Sequence, residues 1–201
     1  MTAYAAPGTP PRPAATALAQ GVSRPLVWVA RGAALTLVPS GLWRVAVAVG
    51  VPSGFQPGSS LHVDHFPGVM SFALVGLSVF AECLGLLSLG LVQRWGEVVP
   101  HWIPWLGGRR ILPLAAVLPA ALGAFAVMAI TIPGAWRWDD AMADPDAPTG
   151  VTAWVMTAAY APLVLWGPLL AVATAAYWRR RRVHGRGRRK ITGTGLRAGA
   201  E

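Results

Sequence analysis

Apolar positions in this chain gather in four long runs, separated by short polar or charged segments. The first run, about residues 25–51, reads PLVWVARGAALTLVPSGLWRVAVAVGV and carries Arg31 and Arg44. The second, about 69–92, holds one charge, Glu82, near its middle. The third, about 111–132, and the fourth, about 151–178, hold none. Each is long enough to cross about 30 Å of hydrocarbon at about 1.5 Å of rise per helical residue. The pattern predicts an all-α polytopic membrane helical bundle of four transmembrane helices. Pro39 sits inside the first run and predicts a kink there.

The intervening segments fix the domain organisation. Residues 1–24 are rich in Pro, Ala, Thr and Gly, and Pro7, Pro10, Pro11 and Pro13 forbid a regular helix. They read as a disordered arm. They do not read as a signal peptide, because the apolar run after Arg24 continues too long and ends in no small-residue cleavage pattern. Residues 25–178 form the membrane domain, with a turn-rich loop at 52–68, a linker at 93–110 and an acidic loop at 134–150. Residues 179–201 form a basic tail that opens with Arg179, Arg180, Arg181 and Arg182.

Charge sets the expected orientation. With four spans, both termini and the 93–110 linker share one side. That side carries every basic residue apart from Arg31, Arg44 and Arg137. The opposite side carries Arg137 with Asp64, Asp139, Asp140, Asp144 and Asp146. Positive charge collects on the cytoplasmic side of membrane proteins, so the expectation is N-in and C-in. Tryptophan placement agrees. Trp28, Trp95, Trp102, Trp105, Trp136, Trp138 and Trp178 fall at interface depths, whereas Trp43, Trp154 and Trp166 do not.

Composition narrows the class further. Charged residues are 12 % of the chain and hydrophobic residues 54 %, with a net charge of +9. A soluble domain carries roughly a quarter charged residues, and a soluble basic nucleic-acid binder spreads its charge over a hydrated face. Here the charge is clustered between apolar runs, which points to a lipid partner and to no nucleic acid. Anionic inner-leaflet lipids are the expected partner of the basic tail, at about 1 kcal/mol per basic residue near the surface. Lys190 is the only lysine, and Ala and Pro are abundant, as in proteins of GC-rich bacterial genomes. The expected location is the bacterial cell membrane.

Few residues suggest chemistry. Cys83 is the only cysteine, which excludes an intramolecular disulfide and a membrane disulfide-exchange enzyme. No span holds a histidine pair for haem, and no phosphate-cradling glycine loop, G-x-S-x-G or H-E-x-x-H occurs. No cofactor is expected. His62, Asp64 and His65 form an H-V-D-H cluster in the outer loop, read as solvated polar residues and not as a metal site, since no fourth ligand lies on that face. Small residues at helical spacing, namely Ala115, Ala116, Pro119, Ala120, Gly123 and Ala124, with Gly85 and Gly90, mark helix-packing faces.

Glu82 carries the most information, because an unpaired carboxylate near the bilayer centre costs several kcal/mol. Arg44 is its candidate partner. Side chains lean toward their helix N-terminus, so the two lean toward each other across roughly 11 Å of axial offset. Arg31, nearer the cytoplasmic end, can snorkel. Two readings stay open: a structural ion pair that fixes the first two helices, or a proton or anion site in a cavity.

The linker supplies one motif. Trp95, Gly96, Glu97, Pro100, Trp102 and Pro104, followed by Arg109 and Arg110, form a W-G-E-x-x-P-x-W-x-P stretch before a basic pair. It resembles the inner loop of uncharacterised small four-helix integral membrane proteins of actinobacteria, with His101 where that pattern carries arginine. The resemblance covers the linker and its flanking spans. It implies the four-helix membrane fold and no particular reaction. Physically, the prolines bend the segment, the Trp rings suit the interface, and Glu97 can pair with Arg94 or Arg109. The expected function is that of a non-enzymatic integral membrane protein. The alternative is a small transporter or channel component using the Glu82 and Arg44 charges, and a membrane-embedded enzyme comes third.

Overall fold

The computed structural model describes residues 17–55, 68–99, 104, 105 and 107–195. Seven α-helices occur among them: α1 (Arg24–Leu35), α2 (Val38–Ala48), α3 (Val69–Leu89), α4 (Pro113–Trp136), α5 (Trp138–Met142), α6 (Gly150–Tyr160) and α7 (Leu163–Gly195). They compose four helical stretches long and apolar enough to cross a membrane: Arg24–Ala48, Val69–Leu89, Pro113–Trp136 and Gly150–Val183. The all-helical, four-span expectation holds.

Two of the spans are broken, each beside a proline. Pro39 cannot donate a backbone hydrogen bond, and it occupies the first turn of α2, so the helix restarts after Thr36 and Leu37. The Thr36 and Ser40 hydroxyls donate to the Ala33 and Leu37 carbonyls at 2.8 and 2.9 Å, which leaves no hydroxyl unsatisfied at the break. Pro162 separates α6 from α7 in the same way, a second break that the sequence reading treated as continuous helix. The two breaks lie side by side, since Leu37 packs in one cluster with Ala33, Trp166 and Leu163. Pro119, Pro133 and Pro168 are carried inside helices.

The spans do not pack in sequence order. α3 lies against α1 and α2, α1 against α7, α2 against α6, and α4 against α7. The first and fourth spans therefore form the centre, with the second and third as flanks. Glycines set the close approaches. A Cβ at Gly85 would lie 2.5 Å from Leu37 Cδ1, and one at Gly167 would lie 2.5 Å from Met128 Cγ and 3.2 Å from the Ala124 carbonyl. Of the expected small-residue stripe, Ala116, Ala120 and Ala124 pack toward α7, in a cluster with Leu170, Ala173 and Tyr177. A Cβ at Gly123 would meet nothing within 4 Å. Between the second and third spans runs an apolar groove of about 320 Å³, floored by Trp166 and Leu170. The outward surface stays apolar, with Phe72, Phe80, Leu122, Phe125 and Ile130 all exposed, as a lipid-facing surface requires.

Both ends of the membrane domain differ from the sequence reading. Residues 17–19 of the expected disordered arm pair with the linker. The Ala19 N–H donates to the Val92 carbonyl and the Arg94 N–H to the Ala17 carbonyl, both at 3.0 Å. The proline-rich part of the arm stops at Pro13, so these later residues are free to pair. The first sixteen residues lie outside the described ones. In the fourth span, the end of the apolar run at Trp178 is not the end of the helix. Its helix continues through the arginines to Gly195, because arginine is a good helix former and no proline intervenes.

The Gly167 contact generates a packing test. Gly167→Val should force the third and fourth spans apart and cost about 1–3 kcal/mol by overpacking. Gly123→Val, in open space, should cost far less. Thermal unfolding of the two variants in detergent measures the difference.

Candidate functional site

Charged groups meet at two places in the bundle. The first is the seam between α2 and α3. Arg44 is 7 % exposed, and its Nε–H donates to Ser78 Oγ at 3.0 Å. Its guanidinium carbon lies 5.9 Å from the centre of the Tyr160 ring, supplied by α6. Ser78 in turn donates to the Leu74 carbonyl at 2.8 Å. Glu82, half-buried, rests one helical turn away against Gly41, where a Cβ would lie 2.9 Å from its Oε1.

The expected ion pair between Arg44 and Glu82 is therefore not formed among the described residues. The two helices run antiparallel, so the residues face each other in the order Arg44 on Ser78 and Gly41 on Glu82. Arg44 meets the serine hydroxyl on its own level before it reaches the carboxylate one turn deeper. Gly41 opens the room that Glu82 occupies. Arg31 takes no part in this cluster. It is exposed, with its guanidinium carbon 5.6 Å from the Trp28 ring centre, as snorkelling toward the interface requires.

The second place is the linker end. Arg180 Nη2 donates to Glu97 Oε1 at 2.9 Å, with the two side chains 7 % and 21 % exposed. The same nitrogen reaches the Leu91 carbonyl at 3.2 Å, just past the end of α3. Arg181 Nη2 donates to the Ile111 carbonyl at 2.8 Å, just before α4. The Tyr177 hydroxyl, on a fully buried residue, donates to the Gly96 carbonyl at 3.1 Å. One face of α7, at residues 177, 180 and 181, thus clasps the linker and its two junctions.

This geometry corrects two expectations. Glu97 pairs with Arg180 and not with Arg94 or Arg109. The run from Arg179 to Arg182 is not wholly lipid-facing. Successive helical residues point about 100° apart, so four arginines in a row cover the whole circumference and two must face the protein. Arg179 and Arg182 face outward, and the Arg182 guanidinium lies 4.1 Å from the Trp178 ring centre.

The linker motif has structural work at Trp95, Gly96 and Glu97. A single 3₁₀ turn, Arg94–Gly96, follows α3. The Trp95 ring packs on Gly90, where a Cβ would lie 2.7 Å from Cη2. A Cβ at Gly96 would overlap the Gly90 carbonyl, so only glycine fits. Residues 97–99 pair with 108–111 through hydrogen bonds from Val99 to Arg109, Gly108 to Val99 and Ile111 to Glu97. Pro104, Arg109 and Arg110 are exposed. Pro100, His101 and Trp102 lie outside the described residues, as do His62, Asp64 and His65. Among the described residues no three His, Cys, Asp or Glu gather as metal ligands.

Sequence reasoning missed Ser78, Tyr160 and Tyr177. Two had a readable signal. Ser78 stands four residues before Glu82, and Tyr177 three and four residues before Arg180 and Arg181, spacings that share a helix face. Tyr160 had none, because its partner lies far away in sequence.

Four apolar spans, with polar groups turned inward, define a multi-pass helical membrane protein. No protein-family model, no curated protein and no solved structure matches the chain.

The two charged clusters should behave differently in double-mutant cycles on stability in detergent. Glu97→Gln with Arg180→Gln should show coupling of about 1.5–3 kcal/mol, as for a hydrogen bond between charged groups. Arg44→Leu with Glu82→Gln should show a smaller coupling, because those two charges stand a helical turn apart and share no hydrogen bond.

Proposed function

We propose that this is a non-enzymatic integral membrane protein of the bacterial cell membrane, with both termini and the linker in the cytoplasm, and that it acts by binding within the membrane domain. One observation carries the reading. Arg44 is held inside an apolar span, at the wall of a cavity of about 70 Å³, without an acidic partner at ion-pair distance among the described residues. Arg180, by contrast, fastens the linker through the carboxylate of Glu97. An arginine kept buried without a carboxylate costs stability and is retained for what it can bind. Several other hydroxyls of the spans support the contrast. Thr36, Ser40, Ser88, Thr131 and Thr174 donate to carbonyls of their own helices, which commits them to structure.

The orientation rests on the charge asymmetry, and exposed Arg109, Arg110, Arg179 and Arg182 are the groups available to anionic inner-leaflet lipids. The cavity at Arg44 also favours a second reading, a small transporter or channel component, in which the same arginine serves a moving ligand. The resemblance of the linker to that of small actinobacterial membrane proteins is compatible with either.

Two measurements test the proposal. Reporter fusions at the C-terminus and within residues 139–148 should report opposite sides of the membrane, with the C-terminus cytoplasmic. Arg44→Leu should leave the midpoint of thermal unfolding in detergent unchanged or raise it, because removing a buried unpaired charge relieves a cost. A fall of more than about 4 °C would assign Arg44 a fastening role instead.

A further inference from the structure

The cavity at Arg44 lies at the end of the bundle away from the linker. Trp43, Arg44 and Ser53 line it from α2 and the segment after it, Leu74 from α3, and Met156 and Tyr160 from α6. Gly54, with φ of +81°, brings that segment onto α6, where a Cβ would lie 2.5 Å from Thr152 Oγ1. A single water needs about 10–15 Å³ of such space, so about 70 Å³ has room for one small ion with water.

The donor inventory says what the cavity can hold. A guanidinium has five N–H groups and no acceptor. One, on Nε, goes to Ser78. Those on Nη1 and Nη2 meet no hydrogen-bond acceptor among the described residues. The Tyr160 hydroxyl, on the same wall, also makes no hydrogen bond to a described residue. Arginine stays protonated, so the site offers a fixed positive charge and excludes a proton relay through this residue. The small volume and the single guanidinium favour a small anion of single charge. A larger or doubly charged anion would leave uncompensated charge there. Glu82, one turn deeper on the same seam, repels an anion and keeps its binding from being tight.

We infer that Arg44, with the hydroxyl of Tyr160, forms a binding site for a small monovalent anion, a halide or a compact carboxylate, in the cavity between α2, α3 and α6. This deepens the binding reading above and rests on it. The two can fail separately, because the Arg44→Leu stability test needs no ligand.

Trp43 on the cavity wall is a built-in reporter. The purified full chain in detergent, at constant ionic strength in gluconate, is titrated with iodide while tryptophan emission is followed. Part of the quenching should saturate, and that part should be missing from Trp43→Phe. Chloride should displace iodide if the site takes halides, and acetate if it takes carboxylates. Arg44→Gln should weaken iodide binding at least about tenfold, as loss of a buried charge partner does. Glu82→Gln should strengthen it about threefold by removing a nearby like charge. Quenching that rises linearly in every form, or that neither anion displaces, overturns the inference, as does unchanged affinity in Arg44→Gln. If Arg44→Gln does not fold, Glu82→Gln and Tyr160→Phe decide. Unchanged affinity in both overturns it, and opposite shifts, tighter and weaker, sustain it.

Discussion

Hydrocarbon offers no hydrogen-bond partner, so a polar group that enters the four spans is costly unless it finds a partner inside the protein; most do, while Ser71 Oγ and Trp166 Nε1 are buried without one among the described residues. The rest of the structure follows from how this demand is met. Pro39 and Pro162 each break a helix, yet the two breaks are placed side by side in the centre of the bundle, where Leu37 and Trp166 pack over them. The hydroxyls near the first break turn back onto their own carbonyls. This explains why the first and fourth spans are central. The broken helices are enclosed, and the second and third spans, unbroken, expose apolar outward faces.

At the linker end the same demand is met by arginine. The last carbonyls of a helix have no partner within the helix, and a cation nearby also suits the helix dipole. Arg180 supplies both, reaching the Leu91 carbonyl after α3 and the Glu97 carboxylate in one grip. Arg181 holds a different carbonyl, that of Ile111 in the turn that leads into α4, and there the hydrogen bond alone is gained. The long α7 thus closes the linker as a clasp, and its basic run holds the protein together at this end. Gly96 belongs to this arrangement, because the linker can only lie this close to Gly90 without a side chain there.

Arg44 stands apart. Serine and an aromatic face stabilise a buried guanidinium without neutralising it. Arg44 and Arg180, both 7 % exposed by whole residue or side chain, differ in their partners: a hydroxyl and an aromatic ring for the first, a carboxylate for the second.

How much of this was legible differs by residue. The four spans, the break at Pro39 and the exposure of Arg31 follow from residue type and run length, which act locally and need no knowledge of neighbours. The clustering of cationic residues was equally plain. The helix to Gly195 was less so, because charge marks where a span leaves the membrane and says nothing of where a helix ends. The partners were not legible. That Glu97 meets Arg180, and that Arg44 meets Ser78 and Tyr160 while Glu82 rests on Gly41, depends on which helices adjoin and at what height. A shift of one helical turn, about 5.4 Å, exchanges one partner for another. The sequence by itself determined which segments enter the membrane, because transfer into lipid depends on the summed polarity of each segment alone. Only the tertiary structure decided which charges are paired, because a pair depends on two helices at once and on the small residues, such as Gly41 and Gly96, that set their approach.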